Sequence, residues 1–143
     1  MFSQTAEYAL RAIVFLSMNL DRPFSVVEIS ENTQIPCAYL SKVLQSVSKV
    51  GLLKSKRGLN GGFMLARSPE QMTVLDVLNA VDPFIYGDKC PLGLEMHGGT
   101  LCSVHAKLRG AYLVIEEIFA KTTISDLLER PACTIKDREG GLK

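Results

Sequence analysis

Apolar and polar positions along the first eighty residues recur with periods that predict four helices and one hairpin. Residues 4–20 carry Tyr8, Ala12, Phe15 and Leu16 with Val14 and Met18 as a broad apolar surface, and Pro23 bars continuation. Ser25 and Glu28 have the spacing of a capping box, in which each side chain satisfies a backbone N–H the helix leaves unpaired. Phe24 and Ile29 stand where a hydrophobic staple would hold the entry. This second helix is short, residues 26–31, and ends in the polar turn Asn32-Thr33-Gln34. Pro36 suits the first position of the next helix, where its missing N–H costs nothing. From there Leu40, Val43, Leu44 and Val47 follow the i, i+3, i+4, i+7 rule, so one stripe faces a core. The opposite face bears Ala38, Ser41, Lys42, Gln45 and Lys49, and Gly51 suits the residue past the end.

Residues 52–57 and 63–66 read as strands, joined through Gly58-Leu59-Asn60-Gly61-Gly62. Asn60-Gly61 is a hairpin signal because both residues tolerate positive φ. Thr73 and Asp76 form a second capping box, opening a helix over residues 74–81 with Val74, Val77, Leu78 and Val81 inward. Residues 83–100 differ in kind: four glycines and two prolines predict a loop long enough to be functional. A long helix over 101–121 follows. Leu101, Val104, Leu108, Ala111, Ile115 and Ile118 alternate steps of three and four, the spacing of a coiled-coil seam. Tyr112, Leu113, Val114 and Phe119 widen that face, so the helix needs two neighbours. One is its own N-terminal unit and the other a second copy of the chain, although packing within one chain also accommodates an apolar helix. Thr123 and Asp126 cap a final helix to residue 129, before a polar, flexible tail that holds Cys133 as a bystander.

Charge adds direction to this pattern. The formal net charge is only +1, yet no acid lies between Glu31 and Glu70, while Lys42, Lys49, Lys54, Lys56, Arg57 and Arg67 do. A helix-turn-helix with a basic outer face, followed by a basic hairpin, is dimensioned for duplex DNA. In the groove, Gln and Ser bond base edges and Lys bonds phosphate or guanine, while the wing takes phosphates or the minor groove. Alone, a basic hairpin is equally what a solvated surface looks like. With 47% hydrophobic and 22% charged residues the chain is an ordinary core-forming domain. No apolar run reaches bilayer length, and Glu7 and Arg11 interrupt any leader-like start, so a cytoplasmic protein without membrane contact is expected. Its four cysteines are then thiols or metal ligands rather than disulfides.

Cys90, His97, Cys102 and His105 gather within sixteen residues as C-x6-H-x4-C-x2-H. Thiolate and imidazole are the ligands of zinc and of iron–sulfur centres, though the spacing matches no common zinc finger, and cysteines also simply pack. No paired carboxylate, activated serine or open-site ligand triad accompanies them, which argues against an enzyme.

Glu7-Tyr8-Ala9-Leu10-Arg11, Tyr39-Leu40-Ser41-Lys42-Val43-Leu44, and residues 51–58 running to Gly61-Gly62-Phe63 resemble the IscR/NsrR type of bacterial winged-helix regulators. Cys90, Cys102 with His105, and residues 122–127 look like the same family's sensor half. The resemblance implies a mainly α fold with a small β-hairpin wing: a winged helix-turn-helix plus a long dimerisation helix. It divides the chain into a DNA-binding domain (1–82), a sensor loop (83–100), dimerisation and final helices (101–129) and a flexible tail (130–143). It further implies a homodimer on operator DNA, and often an iron–sulfur cluster that sets affinity; the expectation is a repressor on palindromic half-sites with a cluster of 2Fe-2S type before 4Fe-4S. Tyr39, Ser41, Lys42 and Gln45 would enter the groove, with Lys54, Lys56, Arg57 and Gly61 on the wing. Cys90 and Cys102 match the outer two of three loop cysteines in cluster-bearing relatives. The middle one is missing here, with His97 near its place; His105 matches a further ligand, and Glu7 a carboxylate supplied across the dimer. Zinc, no metal with a Cys90–Cys102 thiol switch, and a zinc-stabilised protein-interaction module are the alternatives.

Overall fold

The computed structural model describes residues 2–83, 92 and 102–129. Ser3 opens α1 (Gln4–Met18) by accepting the Ala6 N–H on its hydroxyl at 3.1 Å. The helix stops at Met18 rather than at residue 20, because Asn19 leaves the helical conformation and its side-chain amide donates to the Phe15 carbonyl at 2.8 Å. The predicted capping box opens α2 (Val26–Thr33): the Ser25 N–H donates to Glu28 Oε2 at 2.8 Å and the Glu28 N–H to Ser25 Oγ at 3.2 Å. Beyond residue 31 the helix persists, with Asn32 and Thr33 side chains donating back to the carbonyls of Glu28 and Ile29. Gln34, at φ 58° and ψ 37°, makes the turn instead. α3 (Cys37–Lys49) is preceded by Pro36, not begun by it. Pro36 keeps an extended ψ of 130°, and its carbonyl accepts the Tyr39 and Leu40 N–H groups at 3.0 Å each.

All four residues of the predicted α3 stripe are buried. They pack with Ala9, Ala12, Ile13 and Leu16 of α1 and with Val77 and Leu78 of α4 (Val74–Val81), whose Thr73–Asp76 capping box is formed. The alanines on α1 let α3 approach closely, so α3 rests on a well-packed support. Each fully buried Leu or Ile contributes about 1.5–3 kcal/mol.

β1 (Leu53–Lys56) and β2 (Gly62–Leu65) form the only sheet among the described residues, antiparallel from Leu53↔Leu65 to Lys56↔Gly62. Phe24 and Phe63 exchange backbone hydrogen bonds at 2.9 and 2.8 Å, which fastens the hairpin to the entry of α2. The turn departs from the Asn60-Gly61 expectation: positive φ falls on Gly58 (98°), Asn60 (61°) and Gly62. Gly61 is required sterically, since a Cβ there would overlap the Lys56 carbonyl oxygen.

α5 (Ser103–Lys121) starts two positions after the predicted residue 101, for a reason taken up below. α6 (Ile124–Glu129) returns to the N-terminal core: the Val74 N–H donates to the Thr122 carbonyl at 2.9 Å, the Ile124 N–H to the Met72 carbonyl at 2.8 Å, and Ile124 is fully buried. The predicted Thr123–Asp126 cap is present, at 2.7 and 3.1 Å. α5 itself buries only His105 among its described residues, and Phe119 meets the Phe2 ring at 5.5 Å between centroids. Along it Val104, Leu108, Tyr112, Leu113, Val114 and Ile118 are 39–57% exposed. Leu101, the expected loop apart from Pro83 and Leu92, and the expected tail, with Cys90, His97 and Cys133, lie outside the described residues. No helix among the described residues is long and apolar enough to cross a membrane.

Candidate nucleic-acid interface and thiol–imidazole site

With its apolar stripe fixed inward, α3 turns Tyr39, Lys42 and Gln45 to solvent. Ser41 is half-buried and its hydroxyl donates to the Cys37 carbonyl at 3.0 Å, leaving only its lone pairs for a base edge. Tyr39 is held edge-on by the Tyr8 ring of α1, with centroids 6.4 Å apart. The Arg11 guanidinium lies 6.0 Å from the Tyr8 ring centre and 4.0 Å from the Glu7 carboxylate. These four residues thus join the exposed end of α1 to the outer face of α3. On the wing Lys54, Lys56 and Arg57 are all exposed. The Gly61 N–H donates to the Gly58 carbonyl at 3.0 Å and folds the tip back on itself.

Two features of this face escaped the sequence reading. Cys37 is an exposed thiol at the start of α3. Arg22 bonds Glu28 at 2.8 Å and lies 4.0 Å over the Phe24 ring, bracing the junction of α2 and the wing. A cation a few residues ahead of a predicted capping acid was the available signal. Hydrogen bonds from Arg22, then from the Ser25 N–H and hydroxyl, hold Glu28 at a pKa of about 2, against an ordinary 4.5. Its folded value is depressed, so its contribution to stability is complete above the unfolded value and disappears as pH falls toward 2. Both side chains are substantially exposed, so the contribution is small and screened by salt. In thermal melts, Glu28→Gln should lower Tm slightly at neutral pH, and the gap from the wild type should close between pH 4.5 and 2. A gap independent of pH would show that the charge plays no part.

At the start of α5 the cap is a cysteine. Cys102 is extended (φ −65°, ψ 158°), and its Sγ accepts the His105 N–H at 3.3 Å, which is why the helix begins at Ser103. Cys102 therefore precedes the first turn instead of sharing it with His105, as i, i+3 spacing on a helix would have had it. His105 is 8% exposed, and its Nδ1 has no hydrogen-bond partner among the described residues. Glu7 stays on α1 beside Arg11, and no three His, Cys, Asp or Glu side chains gather among the described residues.

A family model described as "Rrf2: Iron-dependent Transcriptional regulator" matches residues 2–130. The chain belongs to the Rrf2 family. Among curated relatives of this Rrf2 chain, a protein of Aquifex aeolicus named as an HTH-type transcriptional regulator is 35% identical, over 89% of this chain and 90% of its own. The transcriptional regulator IscR of Sodalis glossinidius is 30% identical over 85% of this chain and 74% of its own length. Among solved structures, T. potens IscR superposes with a TM-score of 0.74 at 23% identity, covering 100% of this chain and 93% of that one. CymR, the global cysteine regulator of B. subtilis, gives 0.72 at 22% identity over 89% and 95% of the two chains. The expected architecture, mainly helical with a two-stranded wing, is the one observed. The protein is an IscR-type winged-helix transcriptional regulator that binds DNA, and not an enzyme.

Proposed function

We propose that this Rrf2 regulator acts in the cytoplasm as a homodimeric repressor on palindromic operators, and that a Cys/His site at the start of α5 sets its affinity. Tyr39, Lys42 and Gln45, with the lone pairs of Ser41, read the groove, and Lys54, Lys56 and Arg57 grip phosphates. The observation that carries this reading is one of placement. Cys102 and His105 stand at the N-terminus of the same helix whose apolar seam lies open to solvent. A second copy would cover that seam, so the sensing groups and the dimer contact share one rigid element.

The residues fit an iron–sulfur group in chemistry. Cys102 brings a sulfur and His105 a buried imidazole nitrogen with no partner among the described residues; both are ligand types of such centres. Cys90 and His97 would join them from the loop, and Glu7 from the other subunit. When bound, the cluster, of 2Fe-2S type, supplies a charge that changes with redox state. Cys102 and His105, once engaged, would fix the first turn of α5; when released, that turn keeps the sulfur cap and the Ala106 N–H bond to the Cys102 carbonyl. Because α5 packs on α4 and Phe119 packs on Phe2, a shift of α5 alters the separation of the two α3 helices. Protein purified without oxygen should show visible absorbance with matching iron and sulfide, and Cys102→Ala or Cys90→Ala should abolish it. Full absorbance in Cys102→Ala would clear that residue as a ligand.

A cluster-free switch is the second reading. It is favoured by the partly exposed Cys102 and by a CymR of Staphylococcus aureus solved in an oxidized form (TM-score 0.71, 19% identity). A Cys90–Cys102 bond seen by mass spectrometry after mild oxidation, in protein without iron, would establish it. Zinc in the metal analysis would instead favour a structural metal.

A further inference from the structure

We propose that Leu59, at the tip of the wing, is an apolar wedge that enters the DNA minor groove and unstacks a base step. This rests on the reading of the basic wing as a DNA contact, and it adds a residue with a different task from the phosphate-binding cations. Leu59 is 95% exposed, more than any other large apolar side chain among the described residues. Nothing in the turn requires a leucine. Gly58 and Asn60 supply the positive φ, and Gly61 closes the turn through its 3.0 Å bond to the Gly58 carbonyl. The neighbouring glycines strip bulk from the tip, so that it presents little besides the Leu59 side chain and the exposed Asn60 amide. A projection that slim suits a groove about 6 Å wide, and the Asn60 amide N–H matches its adenine N3 and thymine O2 acceptors.

The support is stiff where a wedge needs it to be. The hairpin is paired over four positions and bound to the Phe24 backbone, and Gly62 packs so closely against the Phe24 carbonyl that a Cβ would overlap it. Lys54, Lys56 and Arg57 lie just behind the tip, and no acid occurs from residue 32 to 69 to oppose them. The basic strand would hold the tip against the phosphates while the leucine leaves water between bases, as wedge residues of minor-groove proteins do. A lone leucine ringed by Gly, Asn and Arg is too small an apolar patch to seat a protein partner. Flexible pyrimidine–purine steps, cheapest to open, should be preferred where the wing lands.

The test starts by selecting duplexes from a random pool with the full-length wild-type chain. Enriched duplexes then carry 2-aminopurine at each pyrimidine–purine step flanking the half-sites and a fluorophore pair at their ends. Wild type should raise the 2-aminopurine fluorescence and shorten the end-to-end distance. Leu59→Ala should lose both signals and bind about tenfold more weakly with an unchanged salt slope, and Leu59→Met should keep them. Leu59→Ala that retains the fluorescence rise overturns the wedge, even if affinity falls, because the leucine then only packs on the groove wall. If the wild type enriches no duplex, the DNA reading fails and the wedge with it; if it enriches duplexes that neither unstack nor bend, the wedge alone fails.

Discussion

Leu108→Glu combined with Ile118→Glu is expected to yield a folded monomer that binds a palindromic duplex at least about a hundredfold more weakly. Both side chains lie on the open seam of α5, 41% and 54% exposed, so the substitution leaves the packed core untouched. In a dimer built on that seam each glutamate would face apolar groups of the other subunit, and a carboxylate without a partner there is strongly unfavourable. The weaker hold on DNA follows from linkage of the two half-sites, which multiplies affinity by about 10²–10⁴ without any new interaction. Light scattering should give the mass of one chain, circular dichroism an unchanged melt, and anisotropy on a single half-site wild-type binding. A double variant that keeps the dimer mass would remove the seam as the interface. Weakened binding to the half-site as well would place the damage in the winged helix.

The helical framework was legible because each element carries its own stop and start signals. The Ser25–Glu28, Thr73–Asp76 and Thr123–Asp126 boxes each form as read, and the Leu40, Val43, Leu44 and Val47 stripe is the core face of α3. The shifted helix ends share one physical origin, namely local bonds that periodicity does not encode. Asn32 and Thr33 extend α2 by bonding back to its carbonyls, and Asn19 ends α1 through the same kind of side-chain bond. Cys102 reads in sequence as a ligand, a switch thiol or a packing residue, yet its sulfur serves as a helix cap, a role usually held by Ser, Thr, Asp or Asn. That α6 re-enters the first core could not be read either, since Ile124 looks like any apolar residue of a short helix until Met72 is found beside it. On the candidate interface, charge pointed to Lys42, Lys54, Lys56 and Arg57, all exposed. The Arg22 brace and the Tyr8–Tyr39 pair depend on tertiary approach and left no periodic trace.

Simultaneous Lys54→Ala, Lys56→Ala and Arg57→Ala should weaken operator binding roughly a thousandfold near physiological salt, with the effect spread evenly over all sequences. In the proposed homodimer three phosphate partners per subunit would be removed, six in all, and each would account for about 0.9 of a released counterion. The log–log dependence of affinity on salt should therefore become shallower by about 5. The folded state should be unaffected, because all three side chains are exposed and the strand keeps its pairing with β2. Tyr39→Ala and Gln45→Ala should behave in the opposite way. They leave the salt slope alone but erase discrimination between the operator and single-base variants, by about 1–3 kcal/mol for each base edge that is no longer bonded. The two classes separate in one titration series over several salt concentrations, using the operator and a scrambled duplex of equal length. A triple wing variant with the wild-type slope would show that the wing never meets phosphate. The basic strand would then be no more than a solvated surface, and α3 alone would have to hold the DNA.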